Sequence, residues 1–273
     1  ACVIDHLWHI TESGYCLRQG GPYPPNTWII DSIVNHKHFK AAYCGIHFFD
    51  SAAYPESFRK KLYMGNIHGG SINVDEIARH GSTYRGSGND DILKANDVWF
   101  MPVAQKTGPD GCLYVLDWYD RYHCYQDANR DPNGIDRLKG RLYRIRYQDT
   151  PRVYNFDLAK QSDQALIDQL GNANVYVRDT VQRLLAERLL AGKLSKPAHE
   201  KLIELVTGSA ESPDARRHAM CTLVSGRGIS LELWPELCRH PDPVVQAFGI
   251  RAAGNYATLR RDEALARSWQ AAL

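Results

Sequence analysis

No stretch of the 273-residue sequence approaches 18 consecutive apolar residues, so nothing in it reads as a membrane-spanning helix. An excess of one charge is also lacking: 33 Lys and Arg face 31 Asp and Glu, a net charge of +2. Nucleic-acid binding draws on a dense basic face, so nucleic acid is excluded as a partner. There is no CxxC pair for zinc or redox chemistry, no CxxCH for covalent haem and no GxSxG elbow. Gly86-Ser87-Gly88 does not extend to a dinucleotide fingerprint, which removes NAD. No Met begins the sequence, and Ala1-Cys2-Val3-Ile4-Asp5 has neither a basic nor an apolar leader region, which reads as a fragment or a processed product.

What is present is globular: 44% hydrophobic and 23% charged residues. Five of the seven cysteines precede residue 125, in a loop-rich region where disulfides are useful, and this points to a periplasmic or secreted protein. Reduced thiols packed as small hydrophobes are the alternative.

The composition changes near residue 150. Residues 1–148 hold 12 of the 15 Tyr, 14 of the 21 Gly and 8 of the 11 His. Glycine and aromatics suit short strands and turns. The remainder is rich in Ala, Leu, Arg and Glu, which suit helices. The spacing thus predicts a β domain over 1–148, a polar boundary at Asp149-Thr150-Pro151-Arg152, and a helical domain over 152–273. In the first part, Cys112 to Asp117 and Gly140 to Arg146 form the clearest strand pair, with Leu142, Arg144 and Arg146 on one face and Arg141, Tyr143 and Ile145 on the other. Gly108-Pro109-Asp110-Gly111 is a tight turn by its chemistry. In the second part, Val177, Ala215 and Val245 begin similar stretches 38 and 30 residues apart. Each continues with a small or apolar residue four positions on (Val181, Ala219, Gly249) and another eight positions on (Leu185, Leu223, Ala253). That spacing draws one apolar helix face per stretch and suggests two-helix solenoid repeats.

Several of these segments resemble known families. Gly108 to Trp118, GPDGCLYVLDW, resembles a strand motif of soluble quinoprotein sugar dehydrogenases, which are β-propellers, and Gly140 to Ile145, GRLYRI, is similar to the strand that ends the same blade. Tyr54 to Asn66 resembles a segment of an earlier blade, and 175–185 and 241–253 look like HEAT repeats. The order is similar to that of the "putative membrane-bound dehydrogenase" proteins of some bacteria. The resemblance implies a β-plus-α chain: a partial β-propeller of about three blades at roughly 40–50 residues each, followed by a HEAT-like α-solenoid. It implies oxidation of a sugar or alcohol with pyrroloquinoline quinone (PQQ) and calcium. Electrons would pass to a cytochrome c-type acceptor absent from this chain, and the HEAT surface would be open to a protein partner. The alternatives are a non-enzymatic scaffold that binds protein or glycan, and a calcium-dependent propeller lactonase.

Two groups of residues carry candidate chemistry. Asp127, Asn129, Asp131 and Asn133 place oxygen ligands at alternating positions, as a calcium loop does, although Pro132 and Leu138 depart from the EF-hand pattern. An Asx-turn loop with Arg130 and Arg137 as ion partners is the alternative. The histidines form the second group. His6-x-x-His9 fits one helix face and His36-x-His38 one strand face, and either spacing suits a transition metal. His68 sits in a glycine-rich strand end, Asn66-Ile67-His68-Gly69-Gly70, where imidazole suits a catalytic base. His68 and His38 are the expected catalytic residues.

Overall fold

The computed structural model describes residues 5–17, 20–122, 129–132, 138–208, 212–230 and 232–260. Its contacts divide the chain into two compact units, Ala1–Arg152 and Val153–Leu273. The first is built of strands and the second of helices, so the β-plus-α class read from composition holds.

The β unit begins with two short strands, β1 (Tyr15–Cys16) and β2 (Ile29–Ile30), which pair in parallel. A four-stranded antiparallel meander follows: β3 (Tyr43–Phe49), β4 (Lys61–Asn66), β5 (Ser71–His80) and β6 (Thr83–Lys94). A second meander comprises β7 (Pro102–Thr107), β8 (Leu113–Asp117) and β9 (Arg141–Ile145). Side chains alternate across a strand, which sorts the first meander into two faces. Phe49, Tyr63, Ile72 and Val74 point to one side and meet Phe100, Leu113 and Val115 in a buried cluster, where Phe49 stacks on Tyr63 at 5.1 Å. β7 packs on β3 and β4. Gly65 allows this approach, since a Cβ there would lie 2.2 Å from the Pro102 carbonyl oxygen.

The opposite face presents Leu62, Met64 and Ile77, and it is covered by the N-terminal segment through Leu7, Ile33 and Val34. The register places Leu62 beside Asp75, and Asp75 beside Gly88. An acid therefore stands in the middle of this outer face.

In β8 and β9 the alternation matches the sequence pattern. Ile145 packs against the core cluster, and Arg144, on the other face, pairs across the strands with Tyr114. The GPDG turn closes with the Gly111 N–H donating to the Gly108 carbonyl at 2.9 Å.

The helical unit contains α1 (Asp163–Ile167), α2 (Val175–Leu190), α3 (Lys196–Thr207), α4 (Pro213–Ser225), α5 (Trp234–Cys238) and α6 (Pro243–Arg260). Ser162, Asn174 and Ser212 cap α1, α2 and α4 by accepting from backbone N–H groups. The repeated apolar positions are interior: Val181, Leu185, Ala219 and Leu223 are fully buried, and α4 packs against both α2 and α6. Among the described residues, no helix is long and apolar enough to cross a membrane. Cys16, Cys44, Cys112, Cys221 and Cys238 are free thiols.

Each unit holds a partly buried histidine that resists protonation. His47 Nε2 accepts from the Thr107 N–H at 3.0 Å, and burial, aided by Lys106, lowers its pKa to about 4. Burial, with Arg178 and Arg217 nearby, lowers His218 to about 4 as well. The unfolded chain takes up these protons near the ordinary histidine value of about 6.5, so folding stability falls as pH drops from there towards 4. Urea midpoints at pH 7 and pH 5 should show this loss, and His47→Gln should shrink it for the β unit. An unchanged pH response in that variant would remove His47 as a cause.

Candidate metal centre

The stretches 5–17 and 20–40 have little regular structure. They are fixed by a few bonds: Ile33 N–H donates to the Leu7 carbonyl at 3.1 Å, and Gly86 N–H, on β6, donates to the Ile33 carbonyl at 2.7 Å. The Ser32 hydroxyl donates to the Leu7 carbonyl at 3.0 Å. These bonds lay the stretch around Leu7 beside the stretch around Ile33. His6 thereby comes next to His36 and His38, and all three rings lie over the outer face of the meander.

The three imidazoles converge on one carboxylate. His6 Nε2 lies 2.6 Å from Asp75 Oδ2, while His36 Nε2 and His38 Nε2 lie 2.9 and 3.1 Å from Oδ1. One donor atom from each of the four residues falls within 4.8 Å of all the others. The His6 and Asp75 side chains are wholly buried, His38 is 9% exposed and His36 25%. Burial alone would raise the Asp75 pKa, but hydrogen bonds from His38, His6 and His36 hold it well below the usual carboxylate range. The carboxylate is therefore an anion at neutral pH.

The surroundings fix the rings. Tyr43 stacks on His6 at 4.4 Å, and its hydroxyl accepts from the His38 N–H at 3.3 Å. His6 Nδ1 is buried without a hydrogen-bond partner, so the ring is held by its Nε2 contact with Asp75 and by packing against Tyr43. Gly88 lies against His36: a Cβ there would sit 2.9 Å from both Cδ2 and Nε2 of the imidazole.

Three neutral nitrogens and one carboxylate suit a borderline divalent metal such as zinc, and not calcium, whose ligands are hard oxygens.

Residues 22–149 match a family model described as a domain of unknown function, DUF7133. The matched region holds His36, His38 and Asp75 and leaves out His6. No curated protein and no solved structure matches the chain.

The residues singled out in the sequence are distributed unevenly. His36 and His38 act together, as their spacing indicates. His6 joins them, but His9 does not. The chain there is not helical, so residues three apart do not share a face, and His9 Nδ1 lies 3.3 Å from the Thr83 hydroxyl. Asp75 was not singled out. Its signal is an acid at an outward position of a strand whose inward positions are Ile72 and Val74. His68 is not among the four. It lies in the turn after β4 and lines a depression of about 270 Å³ with Asn96, Asp97 and Phe100.

Of the proposed calcium ligands, Asp127 and Asn133 lie outside the described residues, and Asn129 is exposed. Asp131 Oδ2 accepts from the Tyr122 hydroxyl at 2.6 Å and lies 3.7 Å from Arg121 Nη1. A calcium site here should raise the melting temperature in millimolar calcium over chelator, and Asp131→Ala should abolish the gain. Equal wild-type midpoints in the two buffers would end the calcium reading of this loop.

Proposed function

We propose that the β unit is a metal-binding domain that holds one divalent transition-metal ion at His6, His36, His38 and Asp75. The observation that carries this reading is the convergence of three imidazole Nε2 atoms on one buried carboxylate. Such a cluster is costly to assemble without an ion, because three imidazoles, those of His6 and His38 largely desolvated, share two acceptor oxygens. With an ion, each nitrogen gains a strong bond, and the carboxylate offsets half of the divalent charge. Purified full-length chain, stripped with chelator and titrated with zinc or cobalt(II), should bind one equivalent with a tetrahedral cobalt spectrum. His38→Ala should lose it. A chain that binds no ion under these conditions overturns the reading.

A second reading is favoured by the strand arrangement. Two successive antiparallel meanders pack on each other, the second is built from the GPDG turn and the GRLYRI strand, and a set of packed helices follows. This supports a chain that contributes propeller blades and a HEAT-like solenoid to a PQQ-dependent sugar or alcohol dehydrogenase. In that reading His68 is the base, and His38 belongs to the metal. One depression with three basic residues makes a poor seat for the quinone. The depression beside Arg59, Lys60 and Lys61 also carries Glu56 and Glu76, and Arg59 is paired with Asp50 at 3.0 Å. A tricarboxylate quinone needs cations that are not already neutralised. The quinone reading therefore rests on the strand motifs and the meanders, and no redox step is assigned to this chain. Quinone absorbance and dye reduction with aldoses in the protein purified with calcium, addressed to a periplasmic location, would support it. The absence of both would leave the scaffold and lactonase alternatives, which lactone hydrolysis separates.

A further inference from the structure

The four ligands come from two parts of the chain that are otherwise joined by a small apolar cluster and a few hydrogen bonds, among them Gly86 N–H to the Ile33 carbonyl and Asn66 Nδ2 to the Phe39 carbonyl. Asp75 belongs to the middle of β5. The three histidines belong to the segment of residues 5–17 and 20–40, whose only strands are two residues long. The apolar contact between segment and sheet is small: Leu7, Val34 and Met64 are the buried members of that cluster, against eight in the cluster on the other face. Much of the segment's own apolar surface faces solvent, with Ile10 80%, Trp28 61% and Phe39 77% exposed. Burial of this extent is weak compensation for ordering so long a stretch of chain.

The ligand shell is also filled by protein. Four donors satisfy a tetrahedral ion. Tyr43 covers His6 and lies edge-on to His38, while the His36 ring closes the side towards Gly88. Catalytic zinc sites use three protein ligands and leave a position for water or substrate; this one has four.

We propose that the ion is a structural clasp for an N-terminal strap. Loading fixes residues 5–40 over the outer face of the meander, and removal releases them and uncovers Leu62, Met64 and Ile77. This rests on the metal reading above and assigns the ion its task. The ion has no exchangeable coordination position, and it acts on the β unit alone.

Hydrogen exchange by mass spectrometry on the full-length chain, zinc-loaded and chelated, tests this together with metal content in the same samples. The expected result is one zinc per chain and at least ten-fold slower exchange over residues 5–40 when loaded. Peptides from β7 to β9 and from α2 to α4 should be unchanged. Gly88→Ala should lose the ion and the protection together, because its methyl would sit 2.9 Å from His36 Nε2 and displace that ligand ring while all four ligand residues stay in the sequence. This variant serves where Asp75→Asn does not fold. In the cobalt form, added azide should leave the spectrum unaltered. One equivalent of zinc with no protection of the strap overturns the clasp and leaves the metal site standing. An azide-sensitive spectrum overturns the closed shell. No bound zinc overturns both readings.

Discussion

Asp75→Asn is expected to abolish stoichiometric metal binding and to loosen the β unit even in chelator. Asparagine keeps the shape and removes the charge. Groups that merely orient a ligand are worth about 10–100-fold in affinity, so loss of a ligand that also supplies the only anion among the four should exceed the upper figure. Isothermal titration with zinc measures this directly. The metal-free effect has a separate cause. Three imidazoles now meet at two carboxylate oxygens within 3.1 Å. The amide offers one acceptor and adds two donors, so ring N–H groups are left unpaired, at about 1–3 kcal/mol each where buried. Because folding depresses the Asp75 pKa, the stability it adds is present above the ordinary carboxylate range and is lost as pH falls through the depressed value. The gap between wild type and Asp75→Asn in chelator should therefore stand at pH 7 and close in strong acid. Equal metal affinity in the two proteins would refute the ligand assignment. Equal chelated stability at pH 7 would refute the account of the metal-free cluster.

His36 and His38 were legible because two residues apart on an extended chain share a face whatever the rest of the protein does. Asp75 was not, because its partner His6 is 69 residues away and their meeting depends on β5 pairing with β4 and β6. An acid on the outer face of a strand ordinarily faces water, and nothing local to Val74-Asp75-Glu76 marks the one that does not. His9 shows the converse: its spacing from His6 carries meaning only on a helix, and no helix forms there. Gly88 was read only as a failed dinucleotide motif, whereas its role is set by what lies opposite it. The change from strands to helices was legible for a different reason. Composition is summed over more than a hundred residues on each side, so local errors cancel. The GPDG turn was legible because proline fixes its own φ and glycine permits the positive φ that Gly111 adopts, whatever surrounds them.

That turn leads to the second large effect. Asp110→Ala should destabilise the β unit by about 3–5 kcal/mol, the usual result of removing one member of a buried ion pair. The Asp110 side chain is 1% exposed, and Oδ2 lies 2.6 Å from Arg144 Nε. The same oxygen accepts from the Tyr114 hydroxyl at 3.1 Å, and Oδ1 accepts from the Cys112 N–H at 3.0 Å. Burial pushes the Asp110 pKa up, and the Cys112 N–H, Arg144 and Tyr114 together more than reverse it. The carboxylate thus joins the turn before β8 to the strand that follows it in the sheet. Arg144 carries the link further, donating from Nη2 to the Thr150 and Pro151 carbonyls at 2.7 and 2.9 Å. At about 2–4 °C per kcal/mol for a domain of this size, the melting temperature of the β unit should fall by roughly 10 °C. Arg144→Ala should cost a similar amount, and the double variant much less than the sum, because either single change strands the other charge. Arg144→Lys should recover only part of the loss, since an ammonium cannot reach the carboxylate and two carbonyls in one plane. Additive single-variant losses would show that Asp110 and Arg144 act independently, and the ion pair would then explain neither the turn nor its tie to β9.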